Sequence, residues 1–171
     1  KSGFHGASMS EIAKSFGMSA GHIYNYFESK EAIIEAMVKR DLDQALERIA
    51  KIQGEKDILK AMLGTVDDSV QRKIDRSELD TEILAEAARN PKIAATVQCT
   101  DAVIRDKVIH LIKGVQAAKD AAPCELNLEA KSTILMALFD GLQIRAIRDP
   151  GMKTDDIARV LKTVITQMLQ S

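Results

Sequence analysis

The sequence reads as an all-α protein, a short N-terminal helix-turn-helix head followed by a longer C-terminal helical body. Three observations predict this. Apolar residues recur at i, i+3, i+4 and i+7 through most of the chain, and no strand-like alternation occurs anywhere. Aromatic residues are only 4% of the 171 residues, with three prolines and nine glycines, a profile that favours helices over a sheet. Hydrophobic residues reach 46%, enough for a real core. At this length the chain is one or two domains, and the reading adopted divides it at 1–40 and 41–171.

The head is built from local signals. Ser8 and Glu11 form an S-x-x-E capping box, so a helix begins at Met9. Ile12, Ala13 and Phe16 share one face of it. Gly17 supplies the left-handed residue that ends it. Ser19 is an N-cap for the next helix, where Ile23, Tyr26 and Phe27 at i, i+3 and i+4 give a buried side. Ser29 caps a third helix beginning with Lys30. Ala13, Gly17 and Ile23 meet the needs of two crossing helices: a small residue at the contact, a glycine in the turn, an apolar plug on the second helix. The second helix is short, so its start protrudes and can enter a major groove about 12 Å wide. A pair of packed helices with no ligand satisfies the same rules. The combined string is more specific.

Gly3-Phe4, Ile12-Ala13, Gly17-Met18-Ser19 and Ile23-Tyr24-x-Tyr26-Phe27-x-Ser29-Lys30-Glu31-Ala32 closely resemble the DNA-binding domain of the TetR/AcrR family of bacterial transcriptional regulators. The resemblance covers about residues 3–40. It implies a first helix ahead of Gly3-Phe4, of which Lys1-Ser2 is the tail, so the DNA-binding domain is expected to be incomplete in this sequence.

The remaining elements follow in order. Residues 30–53 form one long helix with Ile34, Val38, Leu42, Ala45, Ile49 and Ile52 on a stripe, ended by Gly54, which connects head to body. Ile58, Leu59, Met62, Leu63, Val66 and Val70 mark one helix over about 56–74. Ser77 caps the next, with Leu79, Ile83, Leu84, Ala87 and Ala88 inward. Asn90-Pro91 stops it, and Pro91 suits the first turn of a helix running to about 118. That helix aligns Ile93, Val97, Ile104, Val108, Leu111 and Val115. Residues 119–127 read as a loop. Asn127 caps a helix to about Arg148, broken by Asp149-Pro150-Gly151. Thr154 caps the last helix, whose first-turn Asp155 and Asp156 complement its dipole.

From Ile134 to Ile147 the chain is apolar over more than one face, and Gly141 sits mid-helix at a cost of about 1 kcal/mol relative to Ala. A second copy packing there accounts for both, although a helix central in its own domain would show the same apolar pattern. The resemblance favours the dimer: Phe139-Asp140-Gly141-Leu142 and Asp149-Pro150 look like the penultimate helix of TetR-family proteins, which dimerise through their last two helices. The expected interface is Leu138, Gly141, Leu142, Arg145, Val160, Leu161, Val164 and Met168. A two-fold dimer presents two recognition helices to two half-sites of a near-palindrome.

Ala20, Gly21 and His22 lie at the exposed start of the recognition helix, closest to base edges, with Asn25 on the same face. Tyr24, Tyr26 and Lys30 reach phosphates, and Ser8 and Ser19 add contacts through their helix N-termini. The resemblance supports Ala20 and Gly21 near bases and Tyr24, Tyr26 and Lys30 at phosphates. It also implies a small-molecule pocket in the body whose filling releases DNA. Met62, Val66, Val97, Ile104, Phe139 and Gln143 are the candidate lining residues, each also a plausible core residue.

Composition limits the alternatives. Net charge is −1, and residues 1–30 hold three lysines against two glutamates, so charge gives little support for nucleic-acid binding. No apolar run approaches the roughly 18 residues of a membrane span, and no signal-peptide pattern is present. Cys99 and Cys124 are isolated, which fits a reduced, cytoplasmic setting. His5, His22 and His110 are too scattered for a metal site. No nucleophile–base pair, phosphate loop or metal spacing suggests an enzyme, and no cofactor is implied. The expected function is a repressor that binds operator DNA as a homodimer and is released by a small-molecule effector. The alternative is a helical dimeric interaction module whose head has lost its function.

Overall fold

The computed structural model describes residues 6–117 and 125–170, and among them every regular element is an α-helix. They are α1 (Met9–Ser15), α2 (Ala20–Tyr24), α3 (Lys30–Gln53), α4 (Ile58–Gly64), α5 (Val66–Asp75), α6 (Ser77–Ala87), α7 (Pro91–Ala117), α8 (Glu125–Arg148) and α9 (Thr154–Gln170). Side chains of Glu125, Leu126 and Asn127, and Cys124 altogether, lie outside the described residues.

Three apolar clusters organise the packing. In the head, Met9, Ala13 and Ile23 are buried, with Ile12, Met18, Phe27 and Ile33 around them. At the joint, Ile34 and Val38 of α3 meet Ile83 of α6 and Ile93 of α7. The body core joins Ile52, Met62, Val66, Val70, Leu111, Ile112 and Val115 with buried residues of α8 and α9. α3 lies along α7, so one rigid helix runs from the head cluster to the body core. Ion pairs reinforce the joint: Glu35 with Lys92 at 3.0 Å, and Asp41 with Arg76. α7 and α4 meet closely at Gly114, where an added Cβ would lie 2.5 Å from Ile58 Cδ1.

Several expectations change. The single helix expected over 56–74 is two, α4 and α5, separated at Thr65. Gly64 is a poor helix former, and the Thr65 hydroxyl donates to the Met62 carbonyl at 2.9 Å, closing the turn locally. Ser77 is not a cap. It is the first residue of α6, buried, with Arg76 at the cap position and no side-chain capping bond there. Leu84 and Ala88 face outward rather than inward, Leu84 being 47% exposed. α8 starts at Glu125, ahead of the expected cap Asn127.

Candidate nucleic-acid interface

The head is fixed by three serine caps. Ser8 Oγ accepts the Glu11 N–H at 3.2 Å while Glu11 Oε2 accepts the Ser8 N–H at 2.7 Å, the reciprocal box. Those bonds hold the Glu11 carboxyl below the usual glutamate range, the Ser8 backbone bond contributing most. Ser19 Oγ accepts the His22 N–H at 3.2 Å, and Ser29 Oγ accepts the Ala32 N–H at 3.2 Å. Between the first two helices Gly17 takes φ +68°. The Met18 N–H reaches the Ala13 carbonyl at 2.9 Å and the Gly17 N–H reaches Lys14 at 3.1 Å, a Schellman closure that turns the chain sharply.

That closure settles Phe16. It is the C-cap of α1, beyond the last helical residue, and is 71% exposed instead of sharing the buried face of Ile12 and Ala13. Tyr26 changes for a related reason. α2 ends at Tyr24, so the i, i+3 spacing from Ile23 no longer applies, and Tyr26 is 69% exposed. Phe27 packs against the head cluster as expected.

The outcome is a short helix with one buried anchor, Ile23, and an open polar side. Ser19, Gly21, His22, Tyr24, Asn25 and Tyr26 are exposed and Ala20 is half-buried. The His22 and Tyr26 rings meet edge to face, centroids 5.4 Å apart, a contact the sequence does not announce. Ser19 occupies only an acceptor site of its hydroxyl in the cap, so its O–H can still be donated. Ser8 differs: its hydroxyl donates to Glu11 Oε2 at 2.8 Å and its N–H goes to the same atom. Both the N–H and the O–H of Ser8 are therefore already donated within the capping box. Lys30 is partly committed as well, its Nζ donating to the Ala7 carbonyl at 3.4 Å and tying the start of α3 to the segment before α1.

The other expected sites are distributed as follows. Of the interface residues, Leu142 and Leu161 are buried in the chain's own core, because each lies on the inward stripe of its helix. Leu138 and Met168 pack half-buried against that core. Arg145, Val160 and Val164 are exposed, and Gly141 has no atom within 4 Å of the place a Cβ would take. Ile134, Ile144 and Ile147, part of the stretch apolar over more than one face but not of the expected interface, are 54%, 47% and 47% exposed. The expected pocket residues do not all belong to one cluster. Met62, Val66 and Phe139 belong to the body core, whereas Val97 packs at the joint. Gln143 is 3% exposed, and its Oε1 has no hydrogen-bond partner among the described residues. Cys99 is exposed and unpaired as a disulfide. No described helix is long and apolar enough to cross a membrane.

Comparison with known proteins matches this architecture along the chain. Residues 1–37 match the family of bacterial regulatory proteins, tetR family, and residues 55–170 match the BetI-type transcriptional repressor, C-terminal domain. The HTH-type transcriptional regulator UidR of Escherichia coli is 30% identical over 159 residues, covering 93% of this chain and 78% of that protein. The structure of Salmonella enterica GusR superposes with a TM-score of 0.76 at 26% identity, over 98% of this chain and 87% of that one. FadR from Bacillus subtilis, solved in complex with stearoyl-CoA, shares the fold with a TM-score of 0.75 at 14% identity, over 96% and 89% of the two chains. Its relatives are transcriptional regulators, not enzymes, and the chain belongs to the TetR family of bacterial regulatory proteins.

Proposed function

We propose that the protein is a dimeric repressor that holds a near-palindromic operator with α2 of each protomer and releases it when a small molecule occupies the body. The observation that carries this is the exposure pattern of α2 and its exit. Ile23 alone is buried, and His22, Tyr24, Asn25 and Tyr26 stand in solvent on a helix start clamped by Ser19. Two exposed tyrosines on one rigid turn present apolar rings and hydroxyls that a second surface can cover. Ala20, Gly21 and His22 face base edges. Tyr24, Tyr26, Lys30 and the N-termini of α1 and α2 hold phosphates. In this reading residues 1–40 are the DNA-binding domain and 41–171 the sensing and dimerisation domain, with duplex DNA placing the work in the cytoplasm.

Dimerisation is supported by the apolar surface left over on α8 and α9, namely Ile134, Ile144, Ile147, Val160 and Val164. Effector binding is supported by two observations. The buried Gln143 oxygen lacks a donor, and an incoming ligand donor would remove a cost of about 1–3 kcal/mol. The FadR neighbour holds stearoyl-CoA within the same fold. Transmission runs through α3, whose head end and body end belong to different clusters, so a shift of α7 against α3 changes head spacing as a population shift.

Selecting bound duplexes from a random pool tests the reading. The expected result is enrichment of an inverted repeat with half-site centres about 34 Å, or a multiple, apart. Retention of the pool without enrichment, or no retention, contradicts it and favours an interaction module with an inactive head.

A further inference from the structure

A cleft of about 800 Å³ opens at the foot of α3, between its last turns and the start of α4. Arg48 and Lys51 of α3, Lys56 of the connection and Lys60 of α4 line it. Two acids share the wall, Glu55 and Asp57, and Asp57 is already used as the N-cap of α4, accepting the Lys60 N–H at 2.9 Å. None of the four cations has an ion-pair partner within 4.0 Å among the described residues. Lys73, Arg76, Lys92, Arg105 and Lys162 are among the cations elsewhere that meet a carboxylate. The cleft lining carries four cations against two acids, in a chain whose net charge is −1.

Arg48 is itself partly buried at this wall. Burial first, and then Arg72, make its guanidinium easier to deprotonate, with Asp41 opposing and Arg76 adding to the effect. Below the cations the wall turns apolar, with Ile52 of the body core, 8% exposed, and the half-buried Ala61. Operator phosphates do not reach this place: Arg48 lies eighteen residues along α3 from Lys30, about 27 Å at the helical rise.

We propose that this cleft binds a small organic anion, a carboxylate or phosphate group on a short apolar body. The anionic group sits among Arg48, Lys51, Lys56 and Lys60, and the apolar part lies on Ile52 and Ala61. The site is separate from Gln143, and it draws α4 toward the end of the helix that carries the head. That the anion acts as an effector rests on the regulator reading above; that it binds does not.

Titration calorimetry on the full chain with octyl phosphate and octanoate, against octylammonium as a tail-matched cation, tests this. The expected result is binding of at least one anion, no binding of octylammonium, and a loss of about tenfold or more in the Lys51→Glu, Lys60→Glu double variant. Both lysines are exposed, so the variant should unfold at the wild-type temperature, and Lys153→Glu on the exposed linker before α9 should bind as wild type. No heat with either anion up to about 1 mM, equal binding of the cation, or an unchanged double variant overturns the proposal. Retardation of operator duplex, measured without any anion, separates the two readings. Retardation without anion binding leaves the regulator standing and removes the cleft, and anion binding without retardation does the reverse.

Discussion

Replacing Gly21 by alanine isolates the contact between the recognition helix and DNA. Gly21 is the second residue of α2, its φ is not positive, and no atom lies within 4 Å of the place a Cβ would take. The free protein therefore accepts the methyl without strain. Glycine in a helix is worse than alanine by about 0.8–1 kcal/mol in the interior, so at this exposed first turn a gain of about 0.5 kcal/mol is expected. For a chain of this size that raises the melting temperature by about 1–2 °C. In the proposed complex the same methyl stands where the backbone approaches base edges. Overpacking a tight contact costs about 1–3 kcal/mol, which lowers affinity by about five- to 150-fold. Fluorescence anisotropy with a selected duplex, at fixed salt, measures this. The salt slope should not change, because no phosphate contact is removed. Unchanged affinity would refute the close approach, and a lowered melting temperature would show that Gly21 serves the fold instead.

Other substitutions test the remaining assignments. Lys30→Ala should weaken binding on all sequences and shallow the salt slope by about one unit; if it only destabilises the head through the lost Ala7 bond, the slope will not move. His22→Ala should alter base preference more than overall affinity, and uniform weakening would remove it from the base-reading set. Val160→Glu, at a residue 62% exposed in the single chain, should leave the fold intact and convert dimer to monomer in sedimentation; a dimer that survives it contradicts the α8–α9 interface. Acid should loosen the head through its caps. Glu11 and Glu31 have folded pKa values below the ordinary one, so their contribution is complete above about pH 4.3 and is lost as pH falls through the lowered values. Amide protection of Ala13 and Ile23, relative to the intrinsic exchange rate at each pH, should fall over that range and respond less in Glu11→Gln; an identical protection profile in the variant would contradict the assignment.

What the sequence disclosed divides by range. The capping box at Ser8, the left-handed Gly17 and the caps at Ser19 and Ser29 depend on three or four residues each, and all appear where local chemistry puts them. Phe16 and Tyr26 do not join the buried faces because periodicity does not extend past helix ends that the backbone sets. Thr65 was missed because the apolar stripe continues through the break, and one glycine costs a helix only about 1 kcal/mol. Leu142 and Leu161 look the same in sequence whether they face their own core or a partner, and only packing separates them from Ile144 and Val160. The basic cleft draws its cations from the end of one helix, a connection and the next helix, with no motif to announce it.

The central claim is that two heads act together on one duplex, and scrambling a single half-site of the selected operator tests it most directly. If one dimer interface joins the heads as proposed, affinity for the damaged duplex should fall to the non-specific level, about 1,000-fold or more below the intact site, with two chains still bound per intact duplex. A loss confined to one chain per duplex, with the other half-site bound at undiminished affinity, would show that each head acts alone and would contradict the dimeric repressor.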